Sequence, residues 1–313
     1  MTPRVGPTAE RRMTLHAVRE IARQHLGSAP TRIAELSGGL SNEVFRLEHR
    51  RGRFVVRLGR SPATYEGYLK EQWAVARAGT VGVPTPAIIH VGNDIGPAPY
   101  MLSRSVNGRE AWRHPDRSAV LRAMGAMLAR IHRVRTAGYG SAFDRAVRRL
   151  GGPTRWRDFL DHELRIDDRL AALSRHRLLP PRKLRRLRDV LESGPRASVR
   201  TVLNHGDMRL KNVLVDARGA IATILDWDQA YSNVPHWDLA IALHDLTIDE
   251  KDELLAGYGM SASAFALAAP LIAALNLINY GAHLPAADAG DRQVRLDRLR
   301  RRLSGALDLY SLE

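Results

Sequence analysis

The chain contains no cysteine, which excludes disulfides and thiolate metal sites and permits a reducing compartment without requiring one. Lysine is scarce as well: Lys70, Lys183, Lys211 and Lys251 are the whole set, so nearly all of the positive charge is arginine. An apolar signal core is missing from the polar opening stretch, and residues 1–13 read as a flexible tail with Met13 as an alternative start. The longest uncharged run, residues 262–283, is interrupted by Pro270 and diluted by Asn276, Asn279 and Gly281. It therefore reads as a buried helix beginning near Pro270 and not as a membrane span. Also absent are a Walker loop, a Gly-x-Ser-x-Gly nucleophile elbow and a zinc-ligand helix.

What remains is a chain of 313 residues, 44% of them hydrophobic, enough to bury a substantial core and more naturally two lobes than one. The formal charge of +15 and pI near 10.9 raise the question of nucleic acid. The densest basic runs, residues 182–188 and 295–302, carry leucines at helical spacing and read as solvated faces of amphipathic helices. Neither a nucleic-acid nor a membrane partner is expected.

One stretch organises the rest. His205-Gly206-Asp207 is followed at the fifth position by Asn212, then by an apolar run, a turn at Arg218-Gly219, a second apolar run, and Asp226-Trp227-Asp228. Metal-assisted phosphoryl transfer needs one carboxylate to orient or deprotonate the accepting hydroxyl, and an amide and a second carboxylate to hold Mg²⁺ against the nucleotide phosphates. Residues 213–215 and 221–225 read as an antiparallel hairpin, which brings Asn212 and Asp226 roughly opposite each other with Asp207 just before it. Upstream, residues 33–36 and 44–47 read as strands around Ser37-Gly38-Gly39-Leu40-Ser41-Asn42. Its glycines would let backbone N–H groups approach phosphate oxygens, with the Ser41 hydroxyl as a further donor.

Together these phrases resemble the aminoglycoside phosphotransferase and choline kinase family of small-molecule kinases. The resemblance implies an α+β, bilobal protein-kinase-like fold. A small antiparallel-sheet lobe spans residues 14–104 and a larger, mostly helical lobe spans residues 105–313. It further implies ATP as donor, with GTP possible, Mg²⁺, a small-molecule hydroxyl acceptor, a cytoplasmic location, and a monomer or homodimer. Asp207 takes the catalytic role, Asn212 and Asp226 hold the metal, and His205, Asp228 and Asp238 support them. Gly38, Gly39, Ser41 and Asn42 form the nucleotide loop. Arg57 in the third strand, where many members have lysine, contacts phosphates and is held by Glu71 on the next helix. Backbone near Leu102 and Ser103 would bind the adenine, and residues 106–108 link the lobes.

The remaining pattern is helical. Residues 14–26 form an amphipathic helix, residues 118–134 form the spine of the second lobe with His132 structural, and residues 141–200 read as charged helices. Two acid clusters, Asp158, Asp161, Glu163, Asp167 and Asp168, then Asp245, Asp249, Glu250, Asp252 and Glu253, would suit a polycationic acceptor and favour an aminoglycoside-like, antibiotic-modifying enzyme. Alternatives are a choline-like metabolite kinase with a cage of Trp227, Tyr231, Trp237 and Tyr280, a nucleotide-binding pseudokinase, and a basic nucleic-acid binder.

Overall fold

A computed structural model describes residues 7–36, 42–96, 98–244 and 246–281. Helix α1 (Pro7–Leu26) begins seven residues before the expected start at Thr14, so much of the expected tail is helical; proline is tolerated as the first helical residue because its missing N–H has no helical partner there. Strands β1 (Arg32–Leu36), β2 (Asn42–His49), β3 (Gly52–Gly59), β4 (Ile88–Gly92) and β5 (Tyr100–Arg104) form an antiparallel sheet in the order β1-β2-β3-β5-β4, with α2 (Thr64–Gly79) crossing from β3 to β4.

Alternation along these strands sorts the two faces. Phe45, Leu47, Phe54, Val56, Leu58, Tyr100 and Leu102 pack with Val18, Ile21, Ala22 and Leu26 of α1 in one small core. The intervening Val44, Arg46, Val55, Arg57, Met101 and Ser103 face a cleft. Helix α2 buries Trp73, Ala74, Val75 and Ala78 in the core of the other lobe and so bridges the two.

The second lobe begins with β6 (Arg109–Glu110) and α3 (Arg117–Ile131), whose first turn is capped by Asp116 accepting from the Ala119 N–H at 3.0 Å. Where continuous helix is expected at 141–200, a short hairpin of β7 (Phe143–Asp144) and β8 (Arg149–Leu150) comes first. Only then do α4 (Trp156–Asp158), running into a π-turn, α5 (Ile166–Arg175) and α6 (Pro181–Ser193) follow. Buried Leu187 and Leu191 face inward on α6 while its arginines lie outside, as the amphipathic reading requires.

Next come β9 (Val202–Asn204), β10 (Val213–Val215), β11 (Ile221–Ile224), β12 (Tyr231–Asn233), α7 (His236–Ala242), α8 (Ile248–Tyr258) and α9 (Ala262–Gly281). Helices α3 and α8 cross at close range, and side chains at Gly125 or Gly257 would run into the backbone of the facing helix. Helix α9 starts earlier than expected: Ser261 caps it by accepting from the Ala264 N–H at 3.2 Å, and Pro270 lies inside. Continuous burial, rather than the helix, begins at the proline, because residues 271–278 form an unbroken buried run, against α5, α6 and α7. By length and composition α9 could cross a membrane, but half of its apolar window Ala262–Asn279 is buried in the protein.

Candidate active site

The loop between β9 and β10 is fixed from below by one buried carboxylate. Asp238, with no solvent exposure, accepts the His205 N–H at 2.6 Å on Oδ2 and the Gly206 N–H at 2.8 Å on Oδ1, and His132 Nε2 lies 3.3 Å from Oδ2. His132 Nδ1 meets the Tyr258 hydroxyl at 2.8 Å, so the ring accepts from Tyr258 and donates to Asp238. Asn204 joins from above, its Oδ1 accepting from the Asp238 N–H at 3.2 Å and its amide donating to the Val202 and Asn233 carbonyls. His205 donates from Nε2 to the Leu225 carbonyl at 2.9 Å and accepts the Asp207 N–H on Nδ1 at 3.2 Å, which sets one neutral tautomer and ties the loop to the end of the hairpin. Gly206 has φ +83°, and a Cβ there would collide with the Gln229 carbonyl, so only glycine fits between Asp238 and the next turn.

The loop presents the Asp207 carboxylate to three donors. Arg209 Nε lies 2.8 Å from Oδ1, Lys211 Nζ 2.9 Å from Oδ2, and Asn212 Nδ2 donates to Oδ2 at 2.9 Å and to the Asp207 carbonyl at 2.8 Å. The Asn212 amide nitrogen is thereby turned toward Asp207, which leaves its Oδ1 as the atom suited to a cation. Hairpin register places Val213 across from Ile224, and the Leu225 N–H donates to the Asn212 carbonyl at 2.8 Å. Asp226 therefore lies one residue beyond the position facing Asn212, where a left-handed backbone at φ 66° turns the chain.

Burial, then repulsion from Asp228, pushes the Asp226 carboxyl above the usual aspartate range, against the pull of Arg57 and His205. A half-enclosed carboxylate crowded by another, beside a free amide oxygen, fits a divalent cation. Among the described residues no set of three or more His, Cys, Asp or Glu could hold a metal. Mg²⁺ uses one or two protein ligands and completes its shell with phosphates and water.

A linkage prediction follows from the raised carboxyl. The native group holds its proton more tightly than the unfolded chain does, so stability falls as pH rises from the ordinary aspartate value through the native one. Asp226→Asn is expected to unfold at a higher temperature than the parent at neutral pH, with the gap closing in acid, and to lose stabilisation by Mg²⁺ with nucleotide. Calorimetry across pH, with and without Mg²⁺ and ATP, checks both; a less stable variant at neutral pH contradicts the reading.

The upper wall comes from the small lobe. Arg57 Nη1 donates to Glu71 Oε1 at 2.7 Å and Oε2 at 2.9 Å, and its guanidinium lies 5.3 Å from the Tyr68 ring centre. Burial works against the Arg57 charge, yet Glu71, Tyr68, Asp226 and Asp228 together raise it above its ordinary value. Burial likewise pushes Glu71 up while Arg57 pulls it down, and the bifurcated short contact is that of the ionised pair. Tyr68 donates to Asn42 Oδ1 at 2.9 Å, which holds the start of β2 toward the cleft.

These groups share a cleft of about 600 Å³ whose lining includes Asn42, Arg57, Glu71, Ser103, Asp226 and Asp228. Lys211 lines it too and connects it to Asp207 and Asn212. The Leu102 side chain does not line it and is fully buried against α1, whereas the expectation there concerns backbone groups. Met101 and Ser103 take that place, because adjacent strand residues point to opposite faces. Gly38, Gly39 and Ser41 lie outside the described residues. Sequence reasoning assigned no role to Lys211, Arg209, Lys70 or Tyr68. The signal for Lys211 was its position four residues after Asp207; for Lys70, which burial lowers and Asp228 and Glu71 oppose, it was adjacency to Glu71.

Two expected acceptor features are placed elsewhere. Five acids of the two clusters are engaged by arginines: Asp161 with Arg157, Asp167 with Arg188, Asp168 with Arg165, Glu250 with Arg117, and Glu253 with Arg122. Trp227 is fully buried against His205, and Tyr231 stacks on Trp237 at 4.9 Å within an aromatic group around Phe159, so these rings form core and not a cation cage; the Tyr280 side chain and Asp245 lie outside the described residues.

A two-lobed protein with an arginine on β3 held by a glutamate on α2, above an Asp–Asn–Asp loop, has the kinase-like phosphotransferase architecture. A family model described as the phosphotransferase enzyme family matches residues 32–271, and the chain belongs to that family. A search of curated proteins found no match. Among solved structures, aminoglycoside phosphotransferase APH(4)-Ia is 20% identical with a TM-score of 0.69, over 92% of this chain and 99% of that one. The macrolide 2'-phosphotransferase MphH from Brachybacterium faecium is 18% identical with a TM-score of 0.62, over 92% and 97%. A putative fructosamine-3-kinase from Haemophilus somnus 129PT is 12% identical with a TM-score of 0.62, over 94% and 97%. These likenesses establish the shared α+β fold.

Proposed function

We propose that the chain transfers the terminal phosphoryl group of ATP, or GTP, to a hydroxyl of a small molecule. The observation that carries this is Lys211, whose ammonium is bonded to Asp207 while its side chain lines the cleft that holds the Arg57–Glu71 pair and Asp226. Arg57, fixed by Glu71, would face the phosphates, and Asp207, fixed by Arg209 and Lys211, would orient the acceptor hydroxyl and take its proton. The acceptor oxygen bonds to phosphorus as the bond to the β-phosphate oxygen breaks, and the electron pair leaves on the nucleoside diphosphate. Asn212 and Asp226 would hold Mg²⁺, which would supply charge neutralisation to the phosphates. Positioning and fixed charge carry such a reaction.

Use of a nucleoside triphosphate fits a cytoplasmic enzyme. An aminoglycoside-like acceptor, and with it antibiotic resistance, drew on the acid clusters, of which Asp161, Asp167, Asp168, Glu250 and Glu253 are held by arginines. The test is nucleotide consumption against aminoglycosides, other hydroxylated antibiotics, choline, thiamine and hydroxy acids, with mass detection of an added phosphate. An acceptor that gains phosphate only with Mg²⁺ present is the expected result, and a protein that binds no nucleotide sinks the reading.

A further inference from the structure

A separate cavity of about 720 Å³ shares no lining residue with the cleft. Its walls come from three places: α2 around Trp73 and Arg77, residues 135–137 after α3, and residues 147–150 of the β7–β8 hairpin. The hairpin is fastened to α2 twice, by the Phe143 ring 5.7 Å from that of Trp73 and by Arg145 Nη1 3.5 Å from Glu66 Oε1. Four arginines, Arg77, Arg135, Arg148 and Arg149, line this space, and no carboxylate is among its lining residues. All four are exposed, and among the described residues none of their side chains is in an ion pair or hydrogen bond. The acids of the same elements are turned to other partners. Glu66 meets Arg145 and Glu71 meets Arg57, while Asp144, across the hairpin from Arg149, accepts the N–H groups of Ala146 and Val147 at 3.0 and 3.2 Å.

Elsewhere on this chain arginines are matched by acids from other helices, Arg188 by Asp167 and Arg122 by Glu253. Here four are unmatched, and a concave wall lined by charge of one sign concentrates the opposite sign. Guanidinium groups fork onto phosphate oxygens through paired N–H bonds, and the volume is that of a small-molecule site. One phosphate group brings about −1.5 to −2 of charge at pH 7, so two or more are needed to balance four arginines. We infer that this cavity binds a small molecule carrying two or more phosphate groups. Arg77 stands on the helix that carries Glu71, whereas Arg135, Arg148 and Arg149 belong to the second lobe. Such a ligand ties α2, and with it the Arg57–Glu71 pair, to that lobe. The inference does not depend on the phosphotransfer reading, since the two spaces share no lining residue.

The experiment titrates inorganic tripolyphosphate, and inorganic phosphate for comparison, into the full chain without Mg²⁺ and follows the heat of binding. Tripolyphosphate is expected to bind about tenfold or more tighter than phosphate. Arg77→Gln combined with Arg148→Gln is expected to weaken tripolyphosphate about tenfold, and Arg135→Gln combined with Arg149→Gln to do the same. Arg182→Gln combined with Arg185→Gln removes equal charge from the exposed side of α6 and is expected to change the affinity by no more than about twofold. Thermal unfolding near the parent midpoint shows each variant folded. Binding that survives both cavity variants overturns the inference and places the anion elsewhere, the nucleotide cleft first. An equal loss in the α6 variant overturns it as well, reducing the effect to the general attraction of a chain with a formal charge of +15. So do no binding of tripolyphosphate and phosphate bound as tightly.

Discussion

Asp207→Asn is expected to lower phosphoryl transfer by about a thousandfold, the scale on which a positioned general base acts, while nucleotide binding and the fold survive. The asparagine keeps the shape but cannot take the hydroxyl proton, and it no longer draws Lys211 and Arg209 by charge. The Asp207 side chain is only 18% exposed, yet its Lys211 partner is 55% exposed, so the lost ion pairs should cost no more than about 1 kcal/mol of stability. Single-turnover transfer to an accepted alcohol, alongside nucleotide titration and thermal unfolding, separates these effects. Wild-type turnover in the variant would remove Asp207 from the chemistry.

Asp238→Asn is expected to damage both stability and activity, although the residue lies beneath the cleft and lines neither cavity. Both carboxylate oxygens accept backbone N–H groups of His205 and Gly206, in a place with no solvent exposure. Whichever way the asparagine is turned, its NH₂ faces one of those N–H donors, and two buried donors then lack an acceptor. The cost is about 3 kcal/mol, and relief comes by shifting the loop that carries Asp207. Chemical denaturation measures the first effect. A kcat that falls while the KM for nucleotide stays near the parent value marks the second, since Arg57 and Glu71 stand on the other lobe. A variant as stable as the parent contradicts the bracing role.

The strands of the small lobe were legible because alternation is a local property. Phe45 and Leu47, then Phe54, Val56 and Leu58, announce inward faces, and the structure seats them under α1. The spacing of Asp207, Asn212 and Asp226 was equally readable, since a tight hairpin fixes register over a few residues. Leu102 shows the limit. A strand pattern says that neighbours point oppositely, but it does not say which side a helix will cover, and α1 covered the Leu102 side. Helix starts were misplaced at Pro7 and Ser261 for a related reason: caps and a first-turn proline extend a helix past its apolar stripe into residues that bury little.

The acid clusters mark the sharper division. As a run of letters, Asp161 to Asp168 and Asp249 to Glu253 are strongly negative, yet Asp167 is neutralised by Arg188 and Glu253 by Arg122, residues 21 and 131 positions away. The sequence by itself determined the two-lobed α+β fold, the kinase-like loop and the family, because periodicity and motif spacing act over short stretches of chain. Only the tertiary structure decided which of these acids are neutralised, because Coulomb energy depends on which side chains packing brings within a few ångströms, and Arg188 and Arg122 from other helices had already claimed Asp167 and Glu253.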